Sequence, residues 1–216
     1  MKTTFDLKQI VKDYCSPERA VLLMRLIDSN DDRISKAPAS SAVRYHHAYE
    51  GGLVDHICEV IDYASNLGGS LSPAVSLQSI VTVSTLHDLN KIGDSAGTVA
   101  YAPNILKSGK QSDAIPFEKD KTCRKLKTGN PEADSLLGFA DPSDGEASLA
   151  LLSFLMPDLL ADLTESEINA IRYHDGGYGK AKYAAGYQGK EDQLAIIIHA
   201  ADMLSSRRRN WETKEA

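Results

Sequence analysis

Apolar residues recur at helical spacing along most of the chain. Phe5, Leu7, Ile10, Val11 and Tyr14 share one face of a first helix. The Ser16-Pro17 break ends it and starts a second helix that runs through Ile27. The stretch 30–45 is polar and is expected to be irregular, with Pro38 and several serines. Leu53, Ile57, Val60, Ile61 and Ala64 form the next stripe, which Gly68-Gly69 closes. Pro73 sits near the start of a helix expected to pass through Leu77, Ile80, Val81 and Leu86 to about Lys91. From 93 to 143 the periodicity is weak and Gly, Pro, Ser, Asp and Lys are frequent, the composition of a long insertion. Short strands are expected there around Thr98–Tyr101 and Ile115–Glu118. Helix returns at about Gly145–Leu160. Thr164 and Glu167 then have capping-box spacing ahead of Ile168 and Ile171, and that helix ends near His174. A Gly- and Tyr-rich loop over 176–189 leads to a last helix at about 191–206. The charged tail RRRNWETKEA is expected to fray. The pattern predicts an all-α single domain over 1–216, with a core at about 40–206 and an irregular insertion at 93–143 that holds a short β-hairpin.

Composition narrows the setting. The 216 residues and 42% hydrophobic content suit one domain with a real core. A net charge of −6 argues against broad coating of DNA, yet is compatible with a small anion in a locally basic pocket. Cys15, Cys58 and Cys123 are too few and too widely spaced for a disulfide framework or a zinc ribbon, which fits a reducing compartment. The amphipathic N-terminus lacks the apolar core of a signal peptide. No stretch approaches the roughly 20 apolar residues that span a bilayer. The expectation is a soluble cytoplasmic protein without a membrane partner; oligomeric state is left open and a homo-oligomer is compatible.

Candidate chemistry lies where polar residues interrupt apolar stripes. His56 follows Gly51-Gly52-Leu53, His87-Asp88 ends the apolar run VSLQSIVTVSTLHD, and Asp202 sits inside QLAIIIHAADML. A carboxylate in such a run is costly to bury unless it is paired or holds a metal. Two imidazoles and two carboxylates from three helices suit one divalent cation, and mixed N/O ligation favours Mn²⁺, Fe²⁺, Co²⁺, Ni²⁺ or Zn²⁺ over Ca²⁺. On the residues alone, this reading stands level with satisfied core histidines and an ordinary salt bridge.

The same residues resemble a known family. The run His46-His47-Ala48-Tyr49-Glu50-Gly51-Gly52-Leu53-Val54-Asp55-His56 is similar to the HHAYxGGLxxH opening of one HD-domain phosphohydrolase subgroup, which includes bacterial 3′–5′ exoribonucleases and small phage and bacterial HD proteins. Leu86-His87-Asp88-Leu89-Asn90-Lys91 resembles the LHDxxK element. Ile171-Arg172-Tyr173-His174 and His199-Ala200-Ala201-Asp202 resemble the two later elements, so the likeness spans roughly 40–206. It implies an HD-type helical bundle in which His56, His87, Asp88 and Asp202 ligate a divalent transition metal. It implies that His174 binds a second ion or the substrate phosphate, and that Lys91 contacts that phosphate. Read without the family, Lys91 is a lysine complementing a helix C-terminus. Where two-metal relatives have a GHGE-like element, this chain has Ser143-Asp144-Gly145-Glu146. Either Asp144 replaces the histidine as an oxygen ligand, or the second ion is weak or absent; one ion and two ions stand equal.

The remaining residues carry paired readings. His46 and His47 either pack the start of their helix or orient a ligand or phosphate, and His47 is the substrate-binding candidate. His199 shares the face of Asp202 and supports a ligand or packs. Asp175 reads as a cap or a solvated acid, and Cys58 as core. Lys107, Lys110, Lys119, Lys121, Arg124, Lys125 and Lys127 make the insertion basic, either as a solvated loop or as a lid that brings charge to phosphate, with Lys107 the substrate-binding candidate among them. Tyr178, Tyr183 and Tyr187 either stack on a base, Tyr178 foremost, or cover the core. The implied reaction is cleavage of a nucleotide phosphoester or phosphoanhydride by metal-activated water. In it Asp88 orients the water, while Lys91 and His174 neutralise developing charge. The alternatives are a 3′–5′ exonuclease acting on short single-stranded RNA or DNA, and a non-catalytic nucleotide-binding HD protein.

Overall fold

Local capping decides where most helices begin. Thr3 and Asp6 cap each other's backbone N–H groups and open α1 (Thr4–Tyr14), which buries Leu7 and Val11. Ser16 accepts from the Arg19 N–H and Pro17 occupies the first turn of α2 (Pro17–Ser29). The stretch expected to be irregular begins instead with a helix, α3 (Asp31–Lys36). Tertiary contacts outweigh its polar composition: Ile34 is buried, and the Arg33 guanidinium donates to the carbonyls of Ile92 and Asp94. The computed structural model describes residues 1–71, 73–120, 123, 143–176 and 191–212.

α4 (Gly52–Gly69) is the central element. It packs against α5 (Leu77–Leu86) and against the last helix, α9 (Gln193–Glu212). Leu53, Ile57, Val60 and Ala64 of α4 meet Ile80, Val83 and Leu86 of α5 and Leu194, Ile198 and Ala201 of α9 in one core. α5 starts at a Ser76 cap, after Pro73, and stops at Leu86, short of the expected Lys91. The stop has a physical cause. The Ser148 hydroxyl donates to the His87 carbonyl at 2.8 Å and accepts from the Asn90 N–H at 3.1 Å, supplying partners that a continued helix would have supplied. Asp88 therefore leaves helical geometry, and Leu89–Ile92 forms a 3-10 turn.

The insertion holds the expected hairpin, displaced by one to three residues along the chain. β1 (Tyr101–Pro103) pairs antiparallel with β2 (Phe117–Lys119) in the register Tyr101 opposite Lys119. Backbone bonds from Val43 N to Ala114 O and from Phe117 N to Ser41 O dock the hairpin on the segment before α4. The helix expected over 145–160 is two, α6 (Asp144–Leu155) and α7 (Pro157–Asp162). Pro157 lacks an N–H and pushes Met156 out of the helical region, to φ −149° and ψ 72°. α8 (Glu165–Arg172) opens with the expected Thr164–Glu167 capping box. α9 continues to Glu212, so its backbone stays helical through part of the tail that was expected to fray. The described chain is thus mostly helical with one two-stranded sheet. No described helix is long and apolar enough to cross a membrane.

Candidate metal centre

The segment before α4 is wound tightly. His47 has φ +46°, a left-handed conformation uncommon outside glycine, and Gly51 follows at φ +80°. A Cβ on Gly52 would lie 2.1 Å from the His47 carbonyl oxygen, so only glycine lets the chain fold back this closely. Ser40 hydrogen-bonds the His46 carbonyl and fixes the other side of the turn. The ring of His46 comes to rest 4.7 Å from that of His56.

Three imidazoles converge. His56 comes from α4, His87 from the end of α5, and His174 from the turn after α8. All three are buried. His87 Nδ1 lies 2.8 Å from the Ser84 carbonyl and His174 Nδ1 lies 2.9 Å from the Ile171 carbonyl. A carbonyl only accepts, so both Nδ1 atoms carry the proton and both Nε2 atoms present a lone pair. His56 Nδ1 lies 2.9 Å from Ser205 Oγ, whose own proton goes to Glu59 Oε2 at 2.9 Å; Nδ1 is again the donor. His56 Nε2 and His87 Nε2 then stand 3.2 Å apart. Two facing lone pairs at that distance repel unless a cation or a shared proton lies between them.

Carboxylates close the set. Asp202 Oδ1 is 3.2 Å from His56 Nε2, and Asp88 Oδ2 is 3.5 Å from His56 Nε2 and 3.6 Å from His87 Nε2. Around a transition metal with bonds of about 2.0–2.2 Å, neighbouring ligand atoms stand roughly 3 Å or slightly more apart. The donor set and its spacing therefore suit a divalent transition metal, which would take the place of a proton shared between the two Nε2 atoms. The other oxygen of Asp88, Oδ1, faces His174 Nε2 at 3.8 Å, and His174 Nε2 is 3.6 Å from Asp175 Oδ1. His174, Asp175 and Asp202 make a second cluster whose donor atoms all lie within 4.8 Å of one another. Asp88 and Asp202 thus border both groups, an arrangement compatible with one ion or two.

Electrostatics agree with a cation-seeking centre. Burial presses His56 downward, but the hydrogen bonds and charges of Asp202 and Asp88 outweigh it and push His56 up to about 9. In the metal-free chain a proton thus occupies the centre. Burial pushes His87 down to about 4, against the pull of Asp88. Burial would raise Asp88, yet Lys91, His87 and His56 hold it well below the usual carboxylate range. Asp202 is likewise lowered, with His56 overcoming burial. Burial would lower Lys91, and Asp88 with Asp144 holds it well above the ordinary lysine value.

The other sequence candidates fall in distinct places. Lys91 Nζ is 3.2 Å from Asp144 Oδ2 and 3.8 Å from Asp88 Oδ1. Asp144 spends its second oxygen on Asn90 Nδ2 at 3.1 Å, and it belongs to no imidazole-containing cluster of close donors among the described residues. His47 turns toward Glu59, 3.4 Å from Nε2, while His46 and not His47 lines the cleft in front of the centre. Lys107 is exposed at the tip of the hairpin, in the turn between Leu106 and Gly109. Asp175 stands against His174. His199 Nδ1 donates to the His174 carbonyl at 2.7 Å. Tyr178, Tyr183 and Tyr187 lie outside the described residues, as do Lys121, Arg124, Lys125 and Lys127.

Sequence reasoning did not single out Ser205 and Glu59, which fix the His56 tautomer, or Ser148, which ends α5. Ser205 was within reach, since it lies three residues after Asp202 on the same helical face. Ser148 carries no comparable signal, because its contacts are long-range. A cleft of about 630 Å³ opens beside the centre, where it meets His46, Asp144, Asp175 and Asp202, and Arg44, Lys91, Lys119 and Arg207 reach it from four different segments. No protein-family model, no curated protein and no solved structure matches the chain.

Proposed function

We propose that the protein is a metal-dependent phosphohydrolase that cleaves a phosphoester or phosphoanhydride of a nucleotide. His56, His87, Asp88 and Asp202 would hold the divalent transition metal, and His174 with Asp175 would serve a second ion or the phosphate. The observation that carries this reading is four buried donors at metal-ligand spacing, His56 Nε2 and His87 Nε2 3.2 Å apart with carboxylate oxygens of Asp202 and Asp88 3.2–3.6 Å away, beside a cleft that Asp202 shares with Arg44, Lys91, Lys119 and Arg207. When bound, such an ion supplies Lewis-acid polarisation of the phosphoryl group and a water acidified to near neutral pH.

The chain's own groups supply the rest. Asp88 directs one oxygen at the imidazole pair and the other at His174 and Lys91, so it can orient a water between them. Lys91 stays protonated and sits on the cleft wall, where it can neutralise charge developing on a phosphoryl oxygen. Asp144 keeps Lys91 extended until that oxygen arrives. Burial of the imidazoles excludes bulk water and strengthens each of these interactions. A cleft of about 630 Å³ is within the range of small-molecule sites and accommodates a nucleotide.

The test is metal analysis of the purified protein, followed by turnover with Mn²⁺, Co²⁺ and Ni²⁺ over nucleotides and generic phosphoesters. Wild type is expected to bind metal and to require it, and the double substitution His87→Ala, Asp88→Ala to do neither. Equal metal loading in wild type and double variant would overturn the assignment. Release of mononucleotides from a labelled oligonucleotide, without turnover of free nucleotides, would move the substrate to a short single strand. Metal binding with no turnover of either would favour a nucleotide-binding role.

A further inference from the structure

The cleft mouth carries an aromatic feature that the metal chemistry does not use. Arg44 and Tyr45 are both exposed, and both line the cleft that reaches Asp202 and Lys91. The Arg44 guanidinium lies over the Tyr45 ring, 4.9 Å from its centre, and its Nη2 donates to the Tyr45 hydroxyl at 3.0 Å. Half of Tyr45 (49%) nevertheless remains open to solvent. The backbone beneath the pair is braced on both sides: Val43 N bonds Ala114 O, Tyr45 N bonds Ala42 O, and Ser40 holds the His46 carbonyl. The next residue, His46, rests against the ring of His56. A flat, pre-stacked surface on a braced backbone therefore stands next to His46, whose ring rests on His56 of the imidazole centre.

Resting on the nucleotide reading of the site, we propose that Arg44 and Tyr45 form the platform on which the substrate's nucleobase stacks. Every base has a π-face, and a tyrosine ring backed by a guanidinium offers it a planar partner with little ordering left to do. Stacking reads no base edge, so the platform accepts all four bases and prefers the larger purine ring. The base of a free nucleotide and the terminal base of a strand present the same face, so the platform serves either.

The experiment compares wild type, Tyr45→Phe, Tyr45→Ala and Arg44→Ala on adenosine monophosphate, a short oligoadenylate and bis(p-nitrophenyl) phosphate. Binding of adenosine monophosphate is read separately by saturation-transfer NMR on the H2 and H8 base protons. Tyr45→Ala is expected to raise KM for the base-bearing substrates roughly tenfold and to abolish saturation of the base protons. Tyr45→Phe keeps the ring and stays near wild type, and Arg44→Ala falls between. Turnover of bis(p-nitrophenyl) phosphate at saturation stays unchanged in the two Tyr45 variants, because that ring stands at the cleft mouth, and Arg44→Ala is read on base saturation alone. Unchanged KM and undiminished base saturation in Tyr45→Ala would overturn the platform while leaving the hydrolase reading intact. A wild type that turns over no phosphoester at all fails the hydrolase reading, and base saturation that depends on Tyr45 would still uphold the platform. A shift of activity from the mononucleotide to the oligoadenylate arm identifies the strand end as the source of the base.

Discussion

Two buried polar clusters touch α5, and they differ in how they are satisfied. At the middle of the helix, beside Thr82, Arg19 from α2 sits almost without solvent contact next to Glu167. Its Nε donates to Asp162 at 2.7 Å, Nη1 to Thr82 and Glu167, and Nη2 to the Asp162 carbonyl and Glu167. Every guanidinium nitrogen has an acceptor, and the cluster ties α2, α5, α7 and α8 together. At its end, the imidazole centre is equally buried, but its match is an exchangeable proton on His56 shared among His87, Asp88 and Asp202. Buried polarity by itself therefore does not mark function; what distinguishes the second cluster is that its match is a single proton that a cation could replace.

The sharpest way to break the contrast is at Asp202. Asp202→Ala is expected to reduce metal-dependent turnover to background and, because Asp202 is the first partner that raises His56, to flatten the alkaline fall in stability of the metal-free protein. Retained metal-dependent turnover would place Asp202 with the structural cluster instead. Arg19→Ala is expected to do the opposite, costing about 3–5 kcal/mol in urea denaturation because Glu167 is left buried and unpaired, with metal stoichiometry retained at temperatures where the variant is folded. Ser205→Ala removes the acceptor that fixes the His56 tautomer. It should weaken metal affinity roughly 10- to 100-fold by competition titration, without a change in stoichiometry.

Acid and base should separate the histidines of the centre in the metal-free protein. His87 is held down near 4 and His46 near 3, both mainly by burial, so their folded values lie below the unfolded value of about 6.5. The unfolded state binds those protons first, and stability falls as pH drops from about 6.5 toward 4, by at most about 1.4 kcal/mol per pH unit per group. His56 is raised to about 9, so its contribution is complete below about 6.5 and is lost as pH rises through about 9. Denaturation midpoints across pH 4–10 should therefore show a maximum near 6.5, and in His56→Gln the alkaline decline should shrink. The smallest expected effect is at the cap of α8. Thr164→Ala should cost about 1 kcal/mol and leave metal binding untouched, since its partners belong to the Arg19 side.

Much of the fold was legible because helix periodicity and capping are local. The apolar stripes of α1, α2, α4 and α8, and the capping box at Thr164, need only neighbouring residues to be recognised. Two differences arise where distant groups decide: α3 depends on Ile34 and on Arg33 reaching Ile92 and Asp94, and the early stop of α5 depends on Ser148. The break at Met156 is instead local, set by the adjacent Pro157. At the site, the run from Gly51 to His56 and the pair His87-Asp88 drew attention because polar residues in apolar stripes are costly to bury. Asp175 looked like a cap because its neighbour in space, His174 Nε2, lies on a turn whose direction the sequence does not specify.

By itself, then, the sequence determined which residues must be accounted for: imidazoles and carboxylates embedded in apolar stripes on successive helices, in an acidic, mostly helical chain. Only the tertiary structure decided how they are matched. It turned His46 rather than His47 toward the cleft, gave Asp144 to Lys91, set Asp175 beside His174, and raised Arg44 and Tyr45 at the cleft mouth. The physical reason is that burial cost is written in local composition, whereas hydrogen-bond satisfaction is a property of atoms brought within about 3 Å by the whole fold.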